Sequence, residues 1–323
     1  MTNEYKCSQK KRLTIFASYD KNNIVNDYVH YYLKELKKIS DVVFVADNTL
    51  NDFEKEKVRP FVVHMIVGKH GEYDFGSYKR GYLWAEEKNL LSSYDQLIYC
   101  NDSVFGPIYP LGPIFSYMES KLSLDFWGIF MTQAKVKAKK NLRQQIHVQS
   151  YFIVFNRKVI NSLAFKNFMH SIKKLRNKND IVEEYEIGLS QKLIKAGFHC
   201  GSYMNAANNA PHRKNALTLL KKGFPFLKRS LFHSSCLRKK SWCYALWRYE
   251  QVIRKFAPNY PVHFIKDYLY AYIGEKKLRS HFFILRFRIP VIARFFFQRK
   301  TTKRGYVIIK VLSLTIYRKR QST

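Results

Sequence analysis

The first hundred residues alternate between continuous apolar runs and stretches whose apolar residues recur every three or four positions. The apolar runs predict four β-strands, at residues 12–19, 41–47, 60–67 and 95–102. The periodic stretches predict helices, most clearly where one face is shared by Ile24, Tyr28, Tyr31, Tyr32 and Leu36. This alternation predicts an α/β fold with a doubly wound, mostly parallel sheet flanked by helices.

The same rhythm continues to about residue 212 and then stops. A further apolar strand is predicted at 150–155, followed by helices at 158–176 and 181–196. Later in the chain, aromatic and basic residues interleave without alternating strands and helices. We therefore expect an α/β domain over residues 1–212 and a basic, mainly helical C-terminal extension over residues 213–323.

The charge is distributed unevenly between these two parts. The chain carries 57 Lys and Arg residues against 24 Asp and Glu residues, a net charge of +33, and is 46% hydrophobic, which excludes a disordered polycation. Residues 1–212 hold 30 basic and 21 acidic residues (+9), whereas residues 213–323 hold 27 and 3 (+24). A surplus of this kind favours an anionic membrane surface or a nucleic acid as a partner.

Targeting, membrane-spanning and common catalytic signals are not found in the sequence. Residues 1–16 hold no long apolar stretch before a small-residue cleavage site, so a signal peptide is not expected. No run of 18 uncharged apolar residues predicts a transmembrane helix. The five cysteines are widely spaced without a CxxC pair, which is typical of reduced thiols in a reducing compartment. Walker A, GxGxxG, HExxH and GxSxG motifs do not occur.

Acidic residues follow three of the first four predicted strands, at Asp20, Asp47 and Asp102. Ligands of open α/β sheets bind beyond the carboxyl ends of the strands. Asp102, between Asn101 and Ser103, has the chemistry to hold a divalent cation that neutralises a diphosphate. The alternative is a structural turn, because Asp and Asn also favour strand-end turns.

Two more segments carry candidate chemistry. In the loop at 70–76, Gly71 and Gly76 permit close backbone approach to a ligand, and Tyr73 has a ring that can stack on a base. Residues 183–186 place three carboxylates at the start of a predicted helix, where the helix dipole stabilises them. Burial of one of them would raise its pKa and suit it to act as a general base.

Two clusters near the strand at 150–155 complete the candidates. Asp125 and Trp127 belong to an acidic-aromatic cluster of the kind that lines sugar sites, or alternatively to a buried aromatic corner. His147 and Gln149 directly precede the strand and are candidates for contacting a sugar or an acceptor. Each of these residues also has an ordinary structural interpretation.

Taken in order, these segments resemble the rhamnan synthesis protein F family, bacterial glycosyltransferases of polysaccharide and lipopolysaccharide assembly. The matching segments are VNDYVHYYL (25–33), DVVFVA (41–46), YDFGSY (73–78), NDSVFGP (101–107), DFWG (125–128), HVQSYFIVF (147–155), YEIGLS (185–190) and PFLKRS (225–230). One departure is His70-Gly71-Glu72, where the family pattern resembles an Asn and a Gly flanking a variable residue.

The resemblance implies a GT-A-like fold, a nucleotide-sugar donor, typically dTDP-rhamnose, and a lipid-linked oligosaccharide or polysaccharide acceptor. The segment YDQLIYCNDS resembles the strand that ends in the DxD metal motif of GT-A enzymes, which implies Mg²⁺ or Mn²⁺ at Asp102. Glu186 matches the general base of family 2 inverting glycosyltransferases, with Asp125 as a second catalytic candidate. Donor contacts are expected from Tyr73, Asp74, Asn101, Asp102, Ser103 and Trp127.

The function predicted from the sequence is therefore an inverting glycosyltransferase, a rhamnosyltransferase by resemblance, of cell-surface polysaccharide synthesis. Its aromatic and basic extension is typical of interfacial segments, which predicts a cytoplasmic protein held peripherally at the anionic inner face of the bacterial membrane. No nucleic-acid partner is expected. Two alternatives stay open: a basic nucleic-acid-binding protein, and a protein of the same fold with another donor sugar or with a non-catalytic role in assembly.

Overall fold

A computed structural model describes residues 10–138, 141–205, 215–232, 242–273, 297–301, 306–311 and 314–320. Eight strands form one mixed sheet at the centre of the α/β region. They are β1 (Arg12–Ser18), β2 (Asp41–Ala46), β3 (His64–Val67), β4 (Gln96–Asn101), β6 (Phe126–Ala138), β7 (Asn141–Val148), β8 (Phe152–Asn156) and β9 (Cys200–Asn205). A separate short ladder joins β5 (Val104–Phe105) to β10 (Leu227–Lys228).

Helices cover both faces of the sheet. In the α/β region they are α1 (Asp27–Lys37), α2 (Asp52–Val58), α3 (Tyr73–Glu87), α4 (Leu111–Glu119), α5 (Arg157–Ile160), α6 (Leu163–Ser171), α7 (Lys178–Ile181) and α8 (Gly188–Lys195). Single turns of 3₁₀-helix occur at Arg59–Phe61, Leu91–Ser93 and Arg229–Phe232. Between α7 and α8 the chain forms a π-helix over Val182–Ile187.

The strand order of the sheet is β3-β2-β1-β4-β8-β6-β7, with β9 paired to β6. Neighbours among β1 to β4 run parallel, and β8 is antiparallel to both β4 and β6. Every residue of β1 is buried, because helices pack on both faces, and this explains its continuous apolar run. The mostly parallel α/β class with flanking helices expected from the sequence is confirmed.

The extension begins as helices that share the core of the α/β region. Described helices here are α9 (Ala216–Lys221), α10 (Trp242–Phe256) and α11 (His263–Ile273). Tyr260 and Tyr268 pack edge-on against Tyr31 and Tyr28 of α1, with ring centroids 5.3 Å apart in each pair. The core therefore continues to about residue 269, whereas the predicted boundary at 212/213 lies among residues outside the described ranges and stays a prediction.

The last described part of the extension is β-structure. Strands β11 (Phe297–Thr301), β12 (Tyr306–Val311) and β13 (Leu314–Arg320) pair antiparallel in a three-stranded sheet. Among the described residues of the extension, helices predominate up to Ile273, and the ranges from Phe297 onward are strands. None of the helices in the described ranges is both long and apolar enough to cross a bilayer.

Candidate active site

The carboxyl ends of the parallel strands meet the start of β8 at one edge of the sheet. Because β8 is antiparallel to β4, its first residue Phe152 lies opposite Cys100, near the end of β4. The backbone N–H of Asn101 donates to the carbonyl of Tyr151 over 3.3 Å. This pairing brings the residues after β4 and the residues before β8 together, although about fifty positions separate them in the chain.

Asp102 lies at this edge with its carboxylate already engaged. Oδ2 accepts hydrogen bonds from the hydroxyl of Ser18 (3.0 Å) and the backbone N–H of Tyr19 (2.9 Å). Oδ1 lies 3.4 Å from Nη2 of Arg229. The residue is only 5% exposed, and burial raises its pKa even though Arg229 and the two hydrogen bonds oppose the shift. Asp102 therefore joins β1, β4 and the extension.

Asn101 connects Asp74 with the turn after β4. Its side-chain amide donates to Oδ2 of Asp74 (2.9 Å) and to the hydroxyl of Tyr78 (3.2 Å). Its side-chain oxygen accepts from the backbone N–H and the hydroxyl of Ser103, at 3.1 and 2.6 Å. The structure thus brings four predicted donor-binding residues together: Asp74, Asn101, Asp102 and Ser103.

Asp74 is the carboxylate with the most perturbed ionisation at this edge. Burial raises the pKa of Asp74 to about 7, with further contributions from the negative charges of Asp102 and Glu186 and an opposing one from Arg229. Since the ordinary value is near 4, Asp74 is partly protonated at neutral pH. A carboxyl group poised in this way can exchange protons with a bound ligand.

Glu186 approaches the same place from the π-helix. Its Oε1 accepts a hydrogen bond from the backbone N–H of Ser150 over 3.2 Å, and it is partly exposed, whereas Glu183 and Glu184 are exposed. Its charge contributes to the raised pKa of Asp74. Of the three carboxylates in this segment, Glu186 is the one held at the site, by a π-turn of the kind that frequently marks functional sites.

Two cations complete the cluster, and the sequence analysis assigned no role to either. The β5–β10 ladder places Lys228 opposite Val104, and the backbone N–H of Arg229 donates to the carbonyl of Ser103 over 2.9 Å. Nζ of Lys228 lies 4.9 Å from the ring centre of Tyr151. Burial lowers the pKa of Lys228, while Glu186 and Asp74 oppose the shift. Lys228 and Arg229 are the two adjacent basic residues of the segment PFLKRS, and that adjacency is the sequence signal that could have identified them.

Two exposed tyrosines border the cluster. Tyr73 begins α3 with its side chain 48% exposed and its backbone at a φ of 57°, a region that non-glycine residues adopt rarely. Strained backbone of this kind is concentrated at functional sites. Tyr19 follows β1 and is 54% exposed, and sequence reasoning assigned it no role. Both rings are available for stacking on a nucleobase.

The other two strand-end aspartates have structural partners. Asp20 accepts from the backbone N–H of Asn22 (2.8 Å) and the side-chain amide of Asn26 (3.2 Å). Asp47 accepts from the backbone N–H groups of His70 (2.7 Å) and Gly71 (3.0 Å). The carboxylate of Asp47 thus fixes the loop that leads into Tyr73 and Asp74.

The placement of Asp125 and Trp127 has to be corrected. The carbonyl of Asp125 accepts from the backbone N–H of Asn156, which pairs with Gln96 at the start of β4. Gln96 lies six residues before Asp102, about 20 Å along a strand at roughly 3.3 Å per residue. Trp127 is 4% exposed and packs in the core against Phe115, with centroids 5.1 Å apart. Asp125 belongs to the opposite edge, and Trp127 to the interior.

The acceptor candidates His147 and Gln149 are both buried. His147 lies in β7 opposite Thr132, and β7 contacts the π-helix that carries Glu186. Gln149 is next to Ser150, which contacts Glu186, and its backbone N–H donates to the carbonyl of Phe130 over 3.0 Å. Among the described residues, its side-chain oxygen has no hydrogen-bond partner. Gln149 is therefore the better placed of the two.

The oxygen atoms around Asp102 do not match the ligands that Mg²⁺ or Mn²⁺ requires. These cations take several oxygen ligands, usually including one or two free carboxylates. Both oxygens of Asp102 are engaged, one of them beside a permanently charged guanidinium. The described part of the chain contains no group of three or more His, Cys, Asp or Glu side chains arranged to hold a metal. Asp102 in this arrangement does not fit the role of a metal ligand.

Sequence comparison gives a family match that covers most of the chain. The family model described as rhamnan synthesis protein F matches residues 42–311. An uncharacterized protein of Sinorhizobium fredii is 28% identical over 167 residues, which are 52% of this chain and 42% of that protein. The virulence protein VirA of Vibrio anguillarum is 26% identical over 263 residues, covering 70% of this chain and 81% of the relative.

Comparison with solved structures gives weaker similarity. The mannosyltransferase Ktr4p of Saccharomyces cerevisiae, in complex with GDP, superimposes with a TM-score of 0.35 and 9% sequence identity. The superposition covers 50% of this chain and 60% of the yeast chain.

Proposed function

The chain belongs to the rhamnan synthesis protein F family, and from that premise we propose that it is an inverting glycosyltransferase that uses a nucleotide-sugar donor. The observation that carries the proposal is the cluster of Asp74, Asp102, Glu186, Lys228 and Arg229 at the carboxyl edge of the sheet. Open α/β sheets bind their ligands at this edge. The cluster supplies both a carboxylate for proton transfer and cations for a phosphate group.

Glu186 is the general base of the proposed reaction. The acceptor hydroxyl attacks the anomeric carbon, its proton moves to Glu186, and the bond from that carbon to the diphosphate oxygen breaks. The nucleoside diphosphate leaves with the bonding electron pair. Glu186 suits the role because it is partly exposed and has a single described hydrogen-bond donor, the N–H of Ser150. General-base assistance is typically worth about 10²–10⁴-fold in rate.

The remaining residues position the donor. Tyr73 and Tyr19 offer exposed rings to the nucleobase, and Asp74 and Ser103, oriented by Asn101, offer polar contacts to the donor. Asp102 is a positioning residue, because its carboxylate holds Arg229 and the end of β1 in place. Gln149 lies beside the base and is proposed to contact the acceptor.

The family description, rhamnan synthesis protein F, supports rhamnose as the sugar and a polysaccharide as the product. A growing polysaccharide or a lipid-linked oligosaccharide is the acceptor in this proposal. We propose dTDP-rhamnose as the donor and cell-surface polysaccharide synthesis as the process. The net charge of +24 over residues 213–323 supports attachment to the inner face of the membrane, since each Lys or Arg near an anionic leaflet contributes about 1 kcal/mol.

A labelled-donor assay tests this proposal. The full chain is incubated with bacterial membranes as the acceptor source and with radiolabelled dTDP-rhamnose, UDP-glucose or GDP-mannose in separate reactions. We expect label from dTDP-rhamnose to enter the lipid or polysaccharide fraction. Transfer from a different donor would keep the glycosyltransferase and remove the rhamnose assignment. Absence of transfer from a broad donor panel, together with absence of nucleotide binding, would contradict the proposal.

A further inference from the structure

Asp102, at the position that resembles the DxD metal motif of GT-A enzymes, is bound to protein donors, and a permanently charged side chain lies beside it. Two hydrogen bonds occupy Oδ2 of Asp102, and the guanidinium of Arg229 lies 3.4 Å from Oδ1. A divalent cation at Oδ1 would have to approach that guanidinium, which remains charged at any physiological pH. Like charges at such a distance repel strongly at a partly buried site.

We propose that Lys228 and Arg229 hold the diphosphate of the nucleotide donor and take the place of a divalent metal at this site. The inference rests on the proposed glycosyltransferase function and specifies how its donor is bound. Lysine and arginine clamps stabilise phosphoryl groups in other enzymes by the same electrostatic principle as a metal ion. Their charges would compensate the two negative charges of a diphosphate bridge.

Arg229 is held rigidly enough to act as one arm of this clamp. Nη1 donates to the hydroxyl of Tyr28 over 2.7 Å, and the guanidinium packs over the ring of Tyr268 at 5.5 Å. Its backbone is fixed by the hydrogen bond to Ser103, directly after Asp102. The side chain nevertheless keeps 19% of its surface exposed. A guanidinium has five N–H donors, so contacts with Tyr28 and Asp102 leave others for a ligand.

Lys228 is a cation without a contact ion pair among the described residues. Glu186 and Asp74 act on it electrostatically, but no described carboxylate oxygen lies within 4 Å of its Nζ. Its principal described contact is the face of the Tyr151 ring. Half-buried Lys266, by contrast, pairs directly with Glu250 at 2.7 Å. A bound diphosphate would give Lys228 the contact ion pair that none of the described residues supplies.

The position of the pair also suits the chemistry of the step. As the glycosidic carbon–oxygen bond breaks, the bonding electron pair stays with the diphosphate, whose negative charge therefore increases. Cations held in a fixed position stabilise that charge more in the transition state than in the bound donor. The acceptor's proton goes to Glu186, so atoms and charges balance without a further reactant.

Binding measurements on the full chain test the proposal without requiring an acceptor. Isothermal titration calorimetry is performed with dTDP, UDP and GDP, each in EDTA and again with Mn²⁺, beside thymidine and geranyl diphosphate as probes. The variants are Lys228→Met, Lys228→Arg and the control Lys222→Met, which removes an exposed lysine six positions away. Melting temperatures establish that each variant is folded.

We expect a nucleoside diphosphate to bind in EDTA, and Lys228→Met to weaken that binding roughly ten- to a hundredfold, the range for hydrogen bonds to charged groups. Lys228→Arg should recover most of the affinity, and Lys222→Met should leave it unchanged. Binding that requires Mn²⁺, or that survives Lys228→Met, would overturn the clamp while leaving the glycosyltransferase proposal in place. Tighter binding of geranyl diphosphate than of any nucleotide would overturn the donor assignment. Absence of nucleotide binding under every condition would contradict both proposals.

Discussion

The two edges of the central sheet both carry shielded carboxylates, but the protein treats them differently. At the amino edge, Glu119 is paired with Arg12 at 2.7 Å, and Asp125 lies 3.3 Å from Nζ of Lys158. At the carboxyl edge, Asp74 and Glu186 have no described Lys or Arg within 4 Å and are held only by single N–H donors.

The difference distinguishes structural charges from functional ones. A carboxylate that is paired with a Lys or Arg of the same chain is already neutralised in the folded protein. A ligand therefore gains little binding energy from its charge. At the carboxyl edge, burial without a contact cation raises the pKa of Asp74, and Asp74 and Glu186 each keep a second carboxylate oxygen with no described hydrogen bond. Residue type alone does not make this distinction, since Asp125 and Asp74 are equally acidic in the sequence.

The largest expected effect lies at the amino edge. Arg12→Met leaves Glu119 buried without its main counter-charge, because the two side chains are only 2% and 6% exposed. Breaking a buried pair in this way costs about 3–5 kcal/mol of unfolding free energy. Urea denaturation measures it, with Arg59→Met in an exposed pair as the control, expected to cost about 0–1 kcal/mol. An equal, small loss in both variants would contradict the structural role of the buried Arg12–Glu119 pair.

At the carboxyl edge, the stability of the protein should depend on the ionisation of Asp74. Its folded-state pKa of about 7 is above the unfolded value, so the folded protein binds more protons between about pH 4 and 7. The contribution of Asp74 to stability is therefore present at low pH and is lost as the pH rises through 7. The slope approaches roughly 1.4 kcal/mol per pH unit within that interval.

Asp74→Asn isolates this contribution, because the amide oxygen can still accept from Asn101 but cannot ionise. We expect the variant to lack the decline between pH 4 and 7 and to be more stable than the unaltered protein at pH 8. Unfolding free energies measured across pH 4–8 compare the two. Parallel profiles would show that Asp74 ionises as an ordinary exposed aspartate.

A smaller effect is expected for Asp125→Asn. Its carboxylate accepts from the backbone N–H of His199 over 2.9 Å and contacts Lys158, so the amide should cost about 1–3 kcal/mol of stability. Because Asp125 lies at the opposite edge from Glu186, donor binding and turnover should stay close to those of the unaltered protein. A large loss of turnover in a stably folded variant would return Asp125 to the catalytic candidates.

The sequence predicted the parallel half of the sheet well, for a physical reason. Strands β1, β2 and β4 are buried on both faces, so their apolar runs carry a strong local signal. The hairpin of β6 and β7 was not predicted, because its residues 132–145 are rich in Lys, Gln and Arg and lack an apolar run.

The sequence predicted only those residues of the candidate site whose position follows from their neighbours along the chain or from the family resemblance. Asn101, Asp102 and Ser103 were identified from the end of a predicted strand, and Asp74 and Glu186 from the resemblance. The edge to which Asp125 belongs depends on the direction and register of β6, and the contact of Arg229 with Asp102 joins residues 127 positions apart. Neither arrangement leaves a periodic signal in the sequence, so both required the tertiary structure.

The central claim is that the carboxyl edge carries the base, and one comparison tests it most directly. Rates of sugar transfer at saturating donor are measured for the unaltered chain, for Glu186→Gln and for Glu183→Gln, an exposed neighbour in the same π-helix. We expect turnover of Glu186→Gln to fall about 10²–10⁴-fold with donor affinity retained, and that of Glu183→Gln to stay near the unaltered rate. Turnover of Glu186→Gln at the unaltered rate, with donor bound, would contradict the account.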